Sequence, residues 1–370
     1  MSTKRIEGRT GGAKFRKTRR SQIVIAALVL LSAMTAWTML GYSRGLRPAA
    51  GRPATNLQEP SPASFNPANP SKEYIYAGSR LIATDEQGAG QGTAAGGFDF
   101  GSDHLSDISI FRPSDGNWWI LDSNTNMQTV VGWGVNGDVI VPADYDGDGT
   151  CDVAVFRPSN GTWWVIKSTG GIINQQFALA GDIPVPGDYD GDGKANIAIY
   201  RPSDGTWWVL GSDYVTQTVT GWGIPGDRPV PADYDGDGKC DIAVFRPSNG
   251  TWWVIKSTGG TMNQQFAVTG DVPVPADYDG DGKANIAVYR PSNGTWWILG
   301  ADGVSQTVIG WGIPNDIPVP TDYDGDGKCD VAVFRPSNGT WWIIKSTGGI
   351  INKQFAVTGD IPVPSAYIRQ

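Results

Sequence analysis

The chain has 370 residues, and its 50 glycines and 25 prolines favour many short strands joined by turns over long helices. The formal net charge is -8, and residues 1–20 carry eight Lys or Arg against one Glu, so the remainder stands at -8 - 7 = -15. This acidity argues against nucleic acid as a partner, because a phosphate backbone would be repelled.

The N-terminal residues predict a membrane tether. Residues 1–20 form a basic tail, and residues 21–42 contain an uncharged, mostly apolar run of 19 residues, 23–41. As a helix this run spans roughly 28 Å, close to the bilayer core of about 30 Å. A good small-x-small cleavage site is lacking, so an uncleaved transmembrane anchor is favoured over a cleaved signal peptide. The basic flank then stays cytoplasmic, and the chain after residue 42 lies in the periplasm or at the cell surface.

Two further segments separate this tether from the rest of the chain. Residues 43–72 are rich in Pro, Ala, Asn and Ser, without a hydrophobic period, and are interpreted as a linker. Residues 73–98 contain two short candidate strands, 74–76 and 80–82, followed by a Gly-rich link. No function is assigned to these strands.

Residues 99–370 consist of a repeated unit. An acidic motif begins at residues 99, 144, 188, 233, 277 and 322, in steps of 44 or 45 residues. Each unit is predicted to hold four strands, which in the third unit are 183–186, 197–200, 207–210 and 216–219. A period of this length with four short strands is typical of a β-propeller. We therefore predict an all-β fold of six four-stranded blades, preceded by one transmembrane helix. Two repeat types alternate, so the ring should have approximate three-fold symmetry.

The acidic motif has the chemistry of a calcium loop. In its second copy, residues 144–152, carboxylates stand at positions 1, 3, 5 and 9, and Gly149 occupies the sharp-turn position. Position 7 can then offer its backbone carbonyl, as in an EF-hand, although the flanking segments are strands here. The candidate metal ligands are Asp144, Asp146, Asp148, Thr150 and Asp152; Asp188, Asp190, Asp192, Lys194 and Asn196; Asp233, Asp235, Asp237, Lys239 and Asp241; Asp277, Asp279, Asp281, Lys283 and Asn285; and Asp322, Asp324, Asp326, Lys328 and Asp330.

These loops predict about five structural Ca²⁺ ions. The first copy is not counted, because Gly101 replaces the Asp at position 3 and His104 replaces the Gly at position 6. In their acidic loops and their period, the repeats resemble the FG-GAP or VCBS family over roughly residues 99–367. The same kind of blade occurs in integrin α-chain heads and in some fungal lectins. The resemblance implies a calcium-binding propeller; many members have seven blades, whereas six units occur here.

The ends of the repeat region predict how the ring closes. The first unit has no Pro-Val-Pro segment before Asp99, while the C-terminus supplies an additional one at 361–364. The last strand should therefore complete the first blade and remove a free sheet edge.

Three other recurring residue types are interpreted as structural. Tryptophan pairs should pack neighbouring blades from both faces of one strand, with sugar stacking as the alternative. An Arg ends each second strand and should form a structural ion pair, the alternative being a ring of guanidinium groups for an anionic ligand. Cys151, Cys240 and Cys329 occupy equivalent positions too far apart for disulfides and should be small buried side chains. The tryptophan pairs begin at 118, 163, 207, 252, 296 and 341, and the arginines are 112, 157, 201, 246, 290 and 335.

Catalytic residue types are scarce. No Glu follows Glu86, His104 is the single histidine, and nearly every repeated Asp belongs to an acidic motif. The sequence thus predicts a membrane-tethered, extracytoplasmic binding module for a glycan or a surface protein, and no enzyme. A polysaccharide-processing enzyme with a non-repeated cleft and a purely structural surface spacer remain the alternatives.

Overall fold

A computed structural model describes residues 73–77 and 80–85 as backbone, and residues 97–368 with their side chains. The predicted basic tail, membrane anchor and linker lie outside these described residues. Within them, no helix combines the length and apolar character needed to cross a membrane. Strands β1 (Glu73–Ala77) and β2 (Arg80–Asp85) form a two-stranded antiparallel sheet, which confirms the two short strands predicted here.

The remaining strands form six antiparallel sheets of four strands each. In the first half they are β3 Ile108–Arg112, β4 Asn117–Leu121, β5 Gln128–Gly132, β6 Val139–Ile140, β7 Val153–Arg157, β8 Thr162–Ile166, β9 Ile172–Gln176, β10 Ile183–Pro184, β11 Ala198–Arg201, β12 Thr206–Leu210 and β13 Gln217–Gly221. In the second half they are β14 Arg228–Pro229, β15 Ile242–Arg246, β16 Thr251–Ile255, β17 Thr261–Gln265, β18 Val272–Pro273, β19 Ala287–Arg290, β20 Thr295–Leu299, β21 Gln306–Gly310, β22 Ile317–Pro318, β23 Val331–Arg335, β24 Thr340–Ile344, β25 Ile350–Gln354 and β26 Ile361–Pro362.

Blades two to six each use four consecutive strands, from β6–β9 to β22–β25. Blade one has the order β26-β3-β4-β5, in which Ile361 pairs with Phe111 and Pro362 with Ile110. The prediction that the C-terminal strand completes the first blade is therefore confirmed. The all-β, six-bladed propeller is also confirmed.

The hydrophobic core lies between the blades. Each of six buried clusters draws on two successive blades, and one of them joins Phe334 and Trp341 of blade six to Ile110 of blade one. Neighbouring strand residues point to opposite faces, so Trp163 packs towards blade three and Trp164 towards blade one. The first Trp of every pair is fully buried, and the second is half-buried. The core-packing interpretation of the tryptophan pairs is thus confirmed.

The C-terminal segment holds distant blades together. After β26 a short 3-10 turn, Val363–Ser365, places Val363 and Ala366 in the core between blades one and two. The Tyr367 hydroxyl donates a hydrogen bond to the carbonyl oxygen of Pro142 in blade two. Ile368 packs against the core between blades five and six. The segment therefore bridges blades that are not neighbours in the ring.

Candidate functional site

We refer to residues 99–107, 144–152, 188–196, 233–241, 277–285 and 322–330 as acidic loops one to six. In loop two, the N–H groups of Gly147 and Gly149 donate to the Asp144 carboxylate at 2.6 and 2.8 Å. Both glycines have φ in the left-handed region, 80° and 85°. A Cβ on Gly147 would also lie 3.0 Å from Cγ of Lys194, whose stem covers the loop. Glycine is therefore required by backbone conformation and by the close approach of the next loop.

Backbone hydrogen bonds link the loops in sequence around one face of the ring. The residue at position 8 donates its N–H to the position-1 carbonyl oxygen of the preceding loop, as from Ala195 to Asp144 and from Cys240 to Asp188, both at 2.6 Å. All three cysteines hold this position, and they are buried and free, as predicted. The acidic loops thus form one continuous face, which we call the loop face.

The loops gather carboxylates in two different patterns. In loops two, four and six the clustered residues are those at positions 1, 3 and 9, whereas in loops three and five they are those at positions 1, 3 and 5. Within each cluster the possible ligand atoms lie within 4.8 Å of one another. The clusters are Asp144, Asp146, Asp152; Asp188, Asp190, Asp192; Asp233, Asp235, Asp241; Asp277, Asp279, Asp281; and Asp322, Asp324, Asp330.

The other predicted ligands have other contacts. Asp148 accepts the N–H of Thr150 at 2.8 Å and the hydroxyl of Ser168 at 2.8 Å. The Thr150 hydroxyl meets that of Ser102 in loop one at 2.6 Å. At the same position, the lysine stems cover the position-4 glycine of the preceding loop, and these lysines are Lys194, Lys239, Lys283 and Lys328. Among the described residues, loop one has no cluster of three carboxylates, and its position 3 is Gly101.

The residues of loops two, four and six fit a calcium ion. Their donors are hard carboxylate oxygens, the type that calcium prefers. In each of these loops the position-3 carboxylate, Asp146, Asp235 or Asp324, has a buried Oδ1 without a hydrogen-bond partner. The Asp324 side chain is only 3% exposed. A buried oxygen without a partner is costly, and a bound cation would satisfy it.

The electrostatics of these loops point the same way. Burial raises the pKa of Asp152 to about 6, and the charges of Asp146 and Asp144 raise it further against two backbone hydrogen bonds that lower it. Asp241 and Asp330 behave alike, each with a pKa of about 6 for the same leading cause. Without a cation, ionisation of these three position-9 carboxyl groups is therefore less favourable than in water.

Residues outside the motif also hold these clusters, and the sequence reasoning missed them. Thr169 donates its hydroxyl hydrogen to Asp146, and Thr258 and Thr347 do the same to Asp235 and Asp324. The available signal was the Lys-Ser-Thr-Gly-Gly turn, which recurs at 167, 256 and 345 in the blades that contain cysteine.

The opposite face carries a repeated ion pair. In blade four, Arg246 Nε and Nη2 donate to the two carboxylate oxygens of Asp227, each at 2.8 Å, and the Asp227 side chain is 1% exposed. The guanidinium carbon lies 5.3 Å from the Trp253 ring centroid. Each blade repeats this Arg–Asp clamp, which confirms the structural pairing predicted for the arginines. The pairs are Arg112–Asp360, Arg157–Asp138, Arg201–Asp182, Arg246–Asp227, Arg290–Asp271 and Arg335–Asp316.

Each clamp also fixes an exposed aliphatic residue that the sequence reasoning missed. Asp227 accepts the backbone N–H of Ile224 at 3.0 Å. The equivalent residue in every blade is aliphatic and 48 to 63% exposed, and we call this set the aliphatic ring. Its members are Val135, Leu179, Ile224, Val268, Ile313 and Val357. The signal in the sequence was an aliphatic residue three places before each clamp Asp.

Between blades three and four, this clamp face has a small apolar pocket. It measures about 150 Å³ and is lined by Trp222, Gly223, Ile224, Val244, Arg246 and Trp253. The indole N–H of Trp222 donates to the Trp253 carbonyl at 3.0 Å and so closes the pocket wall.

Together the fold and its loops define a six-bladed β-propeller with acidic turn loops. Residues 233–288 match the family model of the FG-GAP-like repeat, which confirms the family resemblance over that stretch. No curated protein matches the chain by sequence.

Several solved structures resemble the chain at low sequence identity. The structure of streptogramin B lyase is 12% identical, with a TM-score of 0.45, and the match covers 71% of this chain and 87% of that chain. Virginiamycin B lyase from Staphylococcus aureus is 12% identical, with a TM-score of 0.45, covering 70% and 88%. A protein of unknown function from Bacteroides caccae is 13% identical, with a TM-score of 0.45, covering 68% and 96%. Likenesses this distant say nothing about the activity of this chain.

Proposed function

We propose that this chain is a calcium-binding recognition module: the acidic loops hold structural Ca²⁺ ions, and the clamp face binds a partner. The observation that carries the proposal is the difference in chemistry between the loop face and the clamp face. One face repeats clusters of hard oxygen donors, and the other repeats exposed aliphatic residues whose backbone N–H is bound by the clamp Asp.

The calcium part is supported by the unpartnered oxygens of the position-3 carboxylates. Extracellular calcium modules bind with dissociation constants of roughly 0.1 to 1 mM. At about 0.1 mM and about 1 mM free calcium, each filled site contributes about 1.4 kcal/mol to the free energy of unfolding. Even a few such sites are a large fraction of the roughly 5 to 15 kcal/mol that stabilises an ordinary domain. Calcium on the loop face would therefore be structural.

The recognition part is supported by the aliphatic ring. Single apolar residues scattered over a surface are normal, but here six exposed apolar residues occupy equivalent positions on one face, which indicates an interaction surface. The turns beside them carry little charge, with Asp115 and Asp204 in two blades and Asn in the other four, at 160, 249, 293 and 338. Such a surface suits the apolar patch of a protein at the cell surface better than a charged ligand.

A glycan is the second candidate, and the pocket between blades three and four supports it. Half-buried indole rings beside an arginine offer an apolar surface on which a sugar ring can stack. A role as an enzyme is not proposed, because the repeated carboxylates are engaged in loops and clamps. We also propose that residues 23–41 anchor the chain and keep the propeller on the extracytoplasmic side, since their length and apolar character match a bilayer.

Three experiments on the full-length chain test these proposals. Chelation of calcium should lower the melting temperature strongly, and unchanged melting with no calcium bound would refute the structural role. A glycan array probed with wild-type and Trp253→Ala protein separates the ligands. If the wild type binds a glycan and the variant does not, the ligand is a glycan. If the wild type binds no glycan, the protein partner is favoured. For the anchor, release of a mature protein that begins between residues 36 and 50 would contradict membrane retention.

A further inference from the structure

The residue at position 9 divides the acidic loops into two chemical classes. Loops two, four and six have Asp152, Asp241 and Asp330 there, whereas loops three and five have Asn196 and Asn285. All of these side chains are buried at the base of their loops. Their hydrogen bonds decide what each loop presents to a cation.

In loops three and five the amide already occupies the cluster. Asn196 Oδ1 accepts the N–H of Tyr189 at 2.8 Å, so its Nδ2 points to Asp190 and donates to Oδ2 at 3.1 Å. In loop five the Asn285 amide makes the same two contacts, with Tyr278 at 2.8 Å and Asp279 at 3.1 Å. An amide N–H₂ group is a donor and cannot coordinate a cation. It also satisfies the carboxylate that a cation would otherwise bind.

In loops two, four and six the position-9 side chain is a carboxylate, which can only accept hydrogen bonds when ionised. Asp152 accepts the N–H of Tyr145 at 2.8 Å and that of Ser168 at 2.7 Å, and offers no donor to Asp146. The Asp146 Oδ1 is accordingly left buried and without a partner, as are those of Asp235 and Asp324. Asp190 and Asp279 are instead exposed to water, and each accepts a hydrogen bond from the amide of its Asn.

Charge and burial separate the classes in the same way. Loops two, four and six each carry four carboxylates, whereas loops three and five carry three. Two of the three clustered carboxylates in loops three and five are exposed to water, whereas none is exposed in the clusters of the other loops. Asp103 in loop one also has an orphaned oxygen, but no carboxylate trio forms around it within the described residues.

We infer that the propeller holds three calcium ions, in loops two, four and six, and that the amides of Asn196 and Asn285 replace the cation in loops three and five. This inference rests on the proposed calcium binding and narrows it from five sites to three. The three sites are 89 residues apart, one for each pair of blades, so they form a triangle on the loop face.

Calcium titration of the chelator-treated, full-length chain tests the inference by calorimetry. Wild-type protein should bind three ions. Asp241→Asn, which gives loop four the residue of loops three and five, should bind two, and Asn196→Asp should bind four. Circular dichroism checks that each variant folds, and the wild-type count stands by itself if one does not.

The outcomes separate the two levels of the proposal. Five sites in the wild type, or an unchanged count in a folded Asn196→Asp protein, would overturn the division into two classes while leaving calcium binding in place. If the titration released or absorbed no heat of calcium binding, calcium binding itself would be refuted.

Discussion

Ser106 donates its backbone N–H to the carbonyl oxygen of Asp322 at 2.8 Å, and its hydroxyl lies 2.7 Å from that of Thr321. These contacts join loop one to loop six and so complete the circle of hydrogen bonds between the loops. Among the described residues, loop one has no cluster of three carboxylates, but it makes the contact that joins the first blade to the last. Its structural role is therefore to close the ring.

Closure leads to the first prediction. Deletion of residues 359–370 removes β26 from blade one and takes away the contacts of Tyr367 and Ile368 with distant blades. We expect loss of cooperative unfolding and aggregation through the exposed edge of β3. Thermal unfolding and light scattering measure both, with deletion of residues 369–370 alone as the control. An unchanged monomer with unchanged melting would show that β26 does not close the ring.

The second prediction compares two buried tryptophans at equivalent positions. Trp207 and Trp252 are both 0% exposed, but Trp207 Nε1 donates to the Trp222 carbonyl at 2.9 Å, whereas Trp252 Nε1 has no partner. Replacement by Phe removes similar volume at both positions and a hydrogen bond only at the first. Trp207→Phe should therefore cost about 1 kcal/mol more in the free energy of unfolding than Trp252→Phe. Denaturant unfolding of both variants decides this, and equal costs would contradict it.

The third prediction concerns the clamp. Arg246→Ala leaves the buried Asp227 carboxylate without its cation, and such a change typically costs about 3–5 kcal/mol. Asp227→Asn combined with Arg246→Ala should cost less, because no buried charge is then left alone. Lys256→Ala, on the loop face, is the control and should change the free energy of unfolding little. A double variant less stable than Arg246→Ala alone would contradict the explanation.

The fourth prediction is a pH dependence in loop one. Burial raises the pKa of Asp107 to about 7, against two backbone hydrogen bonds that lower it. The folded state therefore binds more protons than the unfolded state between about pH 4 and pH 7, so stability is lost as pH rises through this range. Asp107→Asn should remove the loss, at a cost that does not depend on pH, because an amide can accept only one of the two backbone N–H groups, from Phe100 and Ser123, that the carboxylate accepts.

Melting temperatures at pH 5 and pH 8 test this difference. The Asp107→Asn variant should gain stability relative to wild type as pH rises, and Asp115→Asn, in an exposed turn, is the control substitution. A constant difference between Asp107→Asn and wild type would contradict a raised pKa at this site.

The sequence predicted the architecture well because the period of the repeat and the composition of its strands are local signals. The blade number, the C-terminal closure and the buried tryptophans all followed from recurrence. Strand ends were less accurate: residues 183–186 were predicted as one strand, but β10 contains only Ile183–Pro184. Val185 still donates to the Ala198 carbonyl at 2.8 Å, and Pro186 has no N–H with which to continue the pairing.

The candidate site was predicted less completely because its details depend on side-chain direction. The sequence predicts Asn196 and Asp152 as equivalent ligands, since both stand at position 9 and both side chains contain oxygen. Only the fold shows that Tyr189 takes that oxygen and turns the nitrogen into the cluster. Similarly, the partner of each Arg lies 19 residues away in five blades and at the far end of the chain in blade one. Sequence distance gave no reason to select it.

The composition of blade one also determines when the protein can finish folding on the ribosome. Strands β3, β4 and β5 emerge first, but β26 is synthesised only after five further blades. At roughly 5–20 residues per second, the delay is on the order of 10–50 s. During that time the nascent chain exposes the unpaired edge of β3, and the ring closes only once β26 has left the exit tunnel.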